Sequence, residues 1–245
     1  MPNLALATSS NEDITITPLL CVGGQSSRMG FPKHLLPFPD GLLAFEHALL
    51  TIHNAIPNAD IIYMSLHDES QLEGIRFRLN ASPSPSASSP PMPSGEDTPQ
   101  DHHHPSPFPA LELIFDNIEK YGDIGPAAAL LSAHVIYPTA TLLVLGCDYP
   151  LLPAAALQQL ILEYEPPLTC FVNEKGFTEP LVAIWGPEAL ETLNREVGKG
   201  TTGLSRVARE VKGKLVRPLR EGWITGCNTR EEWEEAMLVV RQRDG

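Results

Sequence analysis

The sequence predicts an α/β fold in three layers, with a mostly parallel sheet held between two layers of helices. Two observations carry this expectation. Short, almost continuously apolar runs alternate along the chain with segments of helical periodicity. A strand covered on both faces needs such a run, whereas a half-exposed strand shows every-other-residue alternation. The elements also follow the order β-α-β-α-β-α-β-α through the first two thirds of the chain. Right-handed crossovers wind that order into a sheet covered on both sides.

The strands are read at 18–24 (PLLCVGG), 60–66 (DIIYMSL), 111–116 (LELIFD) and 141–148 (TLLVLGCD). Helices are read between and after them at 44–55, 70–79, 125–136 and 153–164. Two of these begin at or beside a proline, Pro126 and Pro153, where the missing N–H costs nothing. Beyond Leu168 the pattern loosens to strands at 168–172 and 181–185 and helices at 188–197 and 203–211. A closing helix at 230–241 is marked by Thr229 as its N-cap and Glu232 three residues on, the spacing of a capping box.

The chain holds 24 prolines in 245 residues, about twice the usual ~5%. Nine of them, with seven serines and no Lys or Arg, fall between Asn80 and Ala110. So few aromatic and branched aliphatic residues cannot offset the entropy of ordering, and the segment at about 80–110 is expected to be a disordered insertion. The first residues, MPNLALATSSNED, lack a basic region and carry only a four-residue apolar patch. They predict a flexible tail over 1–16 and not a secretory signal. What remains, 17–245, is expected to form one domain around the insertion.

The charge balance narrows the function. Seventeen Lys and Arg stand against 30 Asp and Glu, a net charge of −13, and the insertion's three acids leave most of that on the folded part. This argues against a non-specific nucleic-acid binder, whose affinity comes from clustered cations on phosphates. A nucleotide site needs only one or two well-placed cations and is compatible with it. No stretch approaches the ~18 apolar residues of a membrane span. Cys21, Cys147, Cys170 and Cys227 stand far apart with no CxxC pair, which argues against zinc and for a cytoplasmic protein with reduced thiols.

In a parallel sheet, ligands gather at the carboxyl ends of the strands. Those ends carry GGQSSRMGFPK, FDN and CDYP. Gly23 and Gly24 allow close backbone approach, successive N–H groups can form an anion nest, and Arg28 and Lys33 add positive charge. A plain strand-to-loop turn with two surface cations fits the same residues. The loop is neither a GxxxxGK[ST] phosphate loop nor a GxGxxG dinucleotide turn.

The stretch CVGGQSSRMGFPKHLL resembles the LAGGxSxRMGxDKxLL signature of the molybdenum-cofactor nucleotidyltransferases, within the larger nucleoside-triphosphate transferase group. FDNIEKYGDIGPAAALL is similar to that family's Asp-then-GPLAG segment and LGCDYPLL to its CDxPxL. TEPLVAIW resembles its QPLxAxY/W strand and GCNTREEW its NxNTPEDL, so five motifs in family order span about 18–235. The resemblance implies a Rossmann-like nucleoside-triphosphate transferase fold. It also implies Mg²⁺-dependent transfer of a nucleotide to the terminal phosphate of molybdopterin, with pyrophosphate released, and a cofactor carrier or target molybdoenzyme as partner.

Carried over residue by residue, Asp148 and Asn228 become Mg²⁺ ligands, and Arg28 and Lys33 neutralise the triphosphate. Asp148 alone would also pass for a strand-end cap and Asn228 for a turn residue. Val22, Gly23, Gly24, Asp116, Gly125 and Pro126 join these as nucleotide-binding positions, and Glu179 and Pro180 line the acceptor pocket. A solvent-facing salt bridge is the other reading of Glu179. The glycine pair of CVGG matches guanylyl-transferring relatives and favours GTP, whereas Pro32 and the following LLPF look more like cytidylyl-transferring ones and CTP. Cys21-Val22, Pro32 and Gly226 depart from the pattern, which leaves open a catalytically silent nucleotide-binding module. Retention of Arg28, Lys33, Asp148 and Asn228 favours the enzyme.

Overall fold

A computed structural model describes residues 15–23, 29–80 and 110–244. Gly24, Arg28, the first fourteen residues of the expected tail and residues 81–109 of the expected insertion lie outside them. Ile16, expected in the tail, opens the first strand, and Asn80 and Ala110 belong to a helix and a strand.

Seven strands form one sheet in the order β3-β2-β1-β4-β6-β5-β7. They are β1 (Ile16–Cys21), β2 (Ile61–Leu66), β3 (Ala110–Phe115), β4 (Thr141–Gly146), β5 (Leu168–Val172), β6 (Thr178–Trp185) and β7 (Lys214–Val216). β1 pairs in parallel with β2 and β4, β2 with β3, and β5 with β7, while β6 runs antiparallel between β4 and β5. The sheet is thus mostly parallel, as expected. The ladder between β5 and β6 shifts register between Cys170 and Phe171. Pro180 lies in the skipped stretch and has no N–H to donate, so a regular ladder cannot run through it.

The helices are α1 (Ala44–Ala55), α2 (Leu72–Asn80), α3 (Ile118–Tyr121), α4 (Pro126–Ile136), α5 (Ala154–Leu162), α6 (Pro187–Gly198), α7 (Leu204–Glu210) and α8 (Arg230–Asp244). Successive strand residues feed opposite cores. Leu20, Leu143 and Leu145 pack with Phe45, Leu49 and Ile52 of α1 and Leu157 and Leu160 of α5. Leu19, Leu142 and Val144 pack with Leu130 and Leu131 of α4, Leu190 and Leu193 of α6 and Val207 of α7. β4 is buried at every position, and its unbroken apolar run is the sequence trace of two covered faces.

β3 departs from the expectation of a buried strand. It pairs only with β2 at the sheet edge, and Ala110, Glu112 and Phe115 are exposed. The expected helix at 70–79 divides into a tight 3-10 turn, Glu69–Gln71, and α2, because the Asp68 side chain accepts from Ser70 N and ends the preceding loop.

A third apolar cluster holds α8 against the chain that precedes α1. Trp233, Ala236 and Met237, spaced three and four apart on one helical face, pack with Met29, Phe38, Ala44, Leu151 and Cys227. The start of α8 carries the capping box read from the sequence. Thr229 Oγ1 accepts from Glu232 N at 3.2 Å, and the Glu232 carboxylate accepts from Asn228 N and Thr229 N at 2.6 and 3.0 Å.

Candidate active site

The parallel register brings four strand ends level. Cys21 lies opposite both Ser65 and Gly146, and Leu66 opposite Phe115. The residues that follow these ends, Val22 and Gly23, His67, Asp116, and Cys147 and Asp148, therefore make one rim. They border a cavity of about 510 Å³ that Lys33, Asp123, Gly125, Pro126, Tyr149, Leu181 and Asn228 complete.

At one end of the cavity Lys33 Nζ donates to Asp148 Oδ2 and to Asn228 Oδ1, both at 2.9 Å. These residues are 115 and 195 positions from Lys33 in sequence, and three features of the fold assemble them. Lys33 opens a 3-10 turn that Leu36 N closes by donating to Lys33 O. Asp148 stands two residues beyond β4, not at its end, because Cys147 N still donates to Cys21 O and carries the ladder forward. Its side-chain direction is constrained from behind, since a β-carbon on Gly146 would lie 2.8 Å from Asp148 Oδ1. Asn228 is tied to the same loop through Cys227 N, which donates to Asp148 O at 2.8 Å, and is oriented by the capping box of α8.

Two oxygen donors thus converge on one cationic group. A carboxylate and an amide oxygen are hard donors, the kind Mg²⁺ takes from a protein when substrate phosphates supply the rest of its shell. Among the described residues no group of three or more His, Cys, Asp or Glu could hold a metal by protein ligands alone. The pair therefore fits a magnesium shared with substrate phosphates.

Asp116 follows β3 directly, and its N–H donates to Leu66 O. Its Oδ1 accepts from Ser65 Oγ at 2.8 Å. Burial raises its carboxyl to a pKa of about 6 despite that hydrogen bond. Gly125 and Pro126 lie at the start of α4 on the same wall.

Val22 and Gly23 also border the cavity, but their amides are not an anion nest. Both donate to Ser65 O, at 3.0 and 3.2 Å, and extend the β1–β2 ladder. Gly23 allows a close approach of a different kind from the one expected. A β-carbon there would meet the backbone N of His67 at 3.0 Å, so the glycine lets the two strand ends touch.

Glu179 and Pro180 do not line the cavity themselves but stand behind two residues that do, Tyr149 and Leu181. Tyr149 OH donates to Glu179 Oε2 at 2.9 Å, and Pro180 O accepts from Trp185 Nε1 at 3.0 Å. Burial raises both the Tyr149 phenol and the Glu179 carboxyl, so Tyr149 keeps its proton and donates it. Glu179 is half-buried and accepts from Tyr149, holding that ring on the cavity wall. Cys21 and Cys147 border the cavity as protonated thiols, since burial pushes both well up. Sequence reading missed His67 and Asp123. A single His or Asp has no spacing rule, and their only cue was a place just after a strand and just before Gly125.

A cavity at the carboxyl ends of a mostly parallel sheet is the arrangement of nucleotide-binding α/β proteins. Residues 97–215 match the family model described as the MobA-like NTP transferase domain. The match spans just under half of the chain, and over those residues the chain is similar to that family. It is 23% identical over 232 residues to the molybdenum cofactor biosynthesis bifunctional protein of Synechocystis sp.. That alignment covers 92% of this chain and 56% of the relative, so the chain spans about half of the relative's length.

Among solved structures, molybdopterin-guanine dinucleotide biosynthesis protein A from Archaeoglobus fulgidus matches with a TM-score of 0.65 at 17% identity. The match covers 92% of this chain and 99% of that one. The CMP:2-keto-3-deoxy-manno-octonic acid synthetase solved with CTP matches with a TM-score of 0.60 at 10% identity, covering 93% and 99%. At these identities both likenesses speak for the fold. No helix among the described residues is long and apolar enough to cross a membrane.

Proposed function

We propose that the chain transfers GMP from GTP to the terminal phosphate of molybdopterin, releasing pyrophosphate in a Mg²⁺-dependent reaction. The observation that carries this reading is the meeting of Lys33, Asp148 and Asn228 at one end of a nucleotide-sized cavity. An acceptor phosphate oxygen attacks the α-phosphorus, a new P–O bond forms, and the bond from that phosphorus to the β-bridging oxygen breaks. Such displacement needs little covalent chemistry from the protein, so positioning and charge neutralisation supply the rate.

Among the described lining residues Lys33 is the one permanent cation, against Asp116, Asp123 and Asp148. A triphosphate entering that field needs further positive charge. Arg28, carried over from the family motif, is proposed to supply part of it. Asp148 and Asn228 would hold the magnesium ion, which when bound withdraws charge from the phosphate oxygens and so favours attack. Lys33 then turns from the two oxygens to the triphosphate. Val22, Gly23, Gly125 and Pro126 shape the nucleoside end with Asp116, and Gly24 is proposed to extend that wall. Glu179 and Pro180 remain proposed for the acceptor side, acting through Tyr149 and the course of β6. We propose further that the enzyme is cytoplasmic, acts as one domain and meets its acceptor on a carrier or a target molybdoenzyme.

Pro32 and LLPF favour cytidylyl transfer as the second reading, and the structural neighbour solved with CTP supports it. Pyrophosphate release is measured with GTP and with CTP, in Mg²⁺, with a molybdopterin-loaded carrier. Release with GTP and acceptor supports the proposal, and release with CTP alone transfers it to the second reading. Lys33→Ala and Asp148→Ala are each expected to slow release by roughly 10²–10³-fold with thermal melting still cooperative. Full activity in either folded variant overturns the assignment.

A further inference from the structure

The wall opposite Lys33 carries a histidine that the transfer chemistry above does not use. His67 follows the last residue of β2 and is held at two points. Its backbone N donates to Gln71 Oε1, and its ring Nδ1 lies 2.8 Å from Asp68 Oδ2. The Asp68 carboxyl is held down at about 2, first by the hydroxyl of Ser70 and then by His67 itself. It is therefore a carboxylate and accepts only, which places a proton on Nδ1. The other nitrogen, Nε2, is buried on the cavity wall with no hydrogen-bond partner among the described residues. Its nearest charged neighbour among them is Asp123 Oδ1 at 3.8 Å, beyond hydrogen-bond range. A buried polar atom left unpaired is costly unless a ligand completes it.

We propose that His67 reads the base of the nucleotide, its Nε2–H donating to the six-position oxygen of guanine while the carboxylates of Asp116 and Asp123 accept from the neighbouring N–H groups. The proposal rests on the reading of the cavity as a nucleoside triphosphate site. One donor beside two acceptors complements guanine, which offers an acceptor oxygen next to donors. It opposes adenine and cytosine, which present an amino donor where guanine has that oxygen. The groups facing the ring favour its donating form. The hydrogen bond to Asp68 raises its pKa and so favours the doubly protonated ring that Nε2–H donation requires. Burial opposes this, and the charges of Asp68, Asp123 and Asp116 support it. These come from the turn after β2, the loop before α4 and the end of β3. Gln71, the remaining contact, is neutral.

Dissociation constants of the full chain in Mg²⁺ are measured calorimetrically for GTP, its 6-thio analogue and CTP, with the wild type, His67→Ala and His67→Gln. His67→Ala is expected to weaken GTP binding roughly 10- to 100-fold. The loss should shrink for the 6-thio analogue, whose sulfur is a poor acceptor, and CTP should be unaffected. Above the pH at which Asp116 gives up its proton, about 6, GTP binding should weaken as pH rises in the wild type. His67→Gln, a donor that does not titrate, should bind GTP without that dependence. Equal loss for all three nucleotides, or no loss for GTP, overturns the role of His67. A wild type that binds none of them overturns the nucleotide site itself, and preference for CTP overturns the guanine assignment. Thermal melts without nucleotide show whether each variant has folded.

Discussion

Gly146 is the tightest position in the site. A β-carbon there would lie 2.8 Å from Asp148 Oδ1 and 3.3 Å from the Tyr149 ring. Both residues sit on the loop whose carbonyl Cys227 binds, so the crowding is relieved most readily by turning Asp148 away from Asn228. Gly146→Ala is expected to slow pyrophosphate release more than tenfold. Its stability loss should stay within the about 1–3 kcal/mol of an overpacked core, read from urea unfolding beside the activity assay. Lys33, Asp148 and Asn228 were legible in the sequence because each sits in a motif whose neighbours identify it. The amides of Val22 and Gly23 were not, because a glycine pair after a strand says nothing about which acceptor the next strand offers. That acceptor is Ser65 O. The pairing of Tyr149 with Glu179 was equally hidden, since it joins residues thirty positions apart through the antiparallel strand β6.

At the scale of elements, an ion pair buried at its carboxylate end fastens α2 to the start of α1. Arg78 donates to both oxygens of Glu46, at 3.1 and 2.8 Å, and to Gly41 O, while Glu46 also accepts from Leu43 N at 2.7 Å. Glu46 is 5% exposed at its side chain and Arg78 33%. Removing the arginine leaves a buried carboxylate with only a backbone partner among the described residues. Arg78→Ala is expected to cost about 2 kcal/mol, below the ~3–5 kcal/mol of a pair buried at both ends. Glu46→Gln/Arg78→Ala should recover part of it, both measured by urea unfolding. The longer helices were readable from their apolar spacing and the start of α8 from Thr229 and Glu232. β7 and α3 are three and four residues long and carry no periodicity to read. β7 exists because β5 offers it an edge. β3 reads as apolar although it lies at the sheet edge, because composition does not reveal how many neighbours a strand has.

The whole molecule joins an acidic chain to a cavity where burial holds a carboxyl out of its ordinary range. Asp116 titrates at about 6, against about 4 in the unfolded chain. A raised folded value lends stability that is full below the unfolded pKa and is lost as pH rises through about 6. His67, also raised, acts in the same direction. At neutral pH the charged Asp116 costs about 2 kcal/mol after allowance for solvent screening. Asp116→Asn should therefore be more stable than the wild type at pH 7, with the difference closing toward pH 4. Urea unfolding across that range checks it, and the same variant should bind GTP more weakly. α2 ends at Asn80 and is tied by Arg78 to the start of α1. The chain returns to the sheet at Ala110, opposite Ile61, at the amino ends of the strands, whereas the cavity lies past their carboxyl ends. A six-residue strand, roughly 20 Å long, separates the two poles. Exchanging residues 81–109 for a Gly/Ser sequence of equal length is expected to keep pyrophosphate release within about twofold. The joint at Ala110 is thus a splice point at the pole away from the chemistry, where an engineer can insert a tag, a tether or a reporter without retuning the reaction.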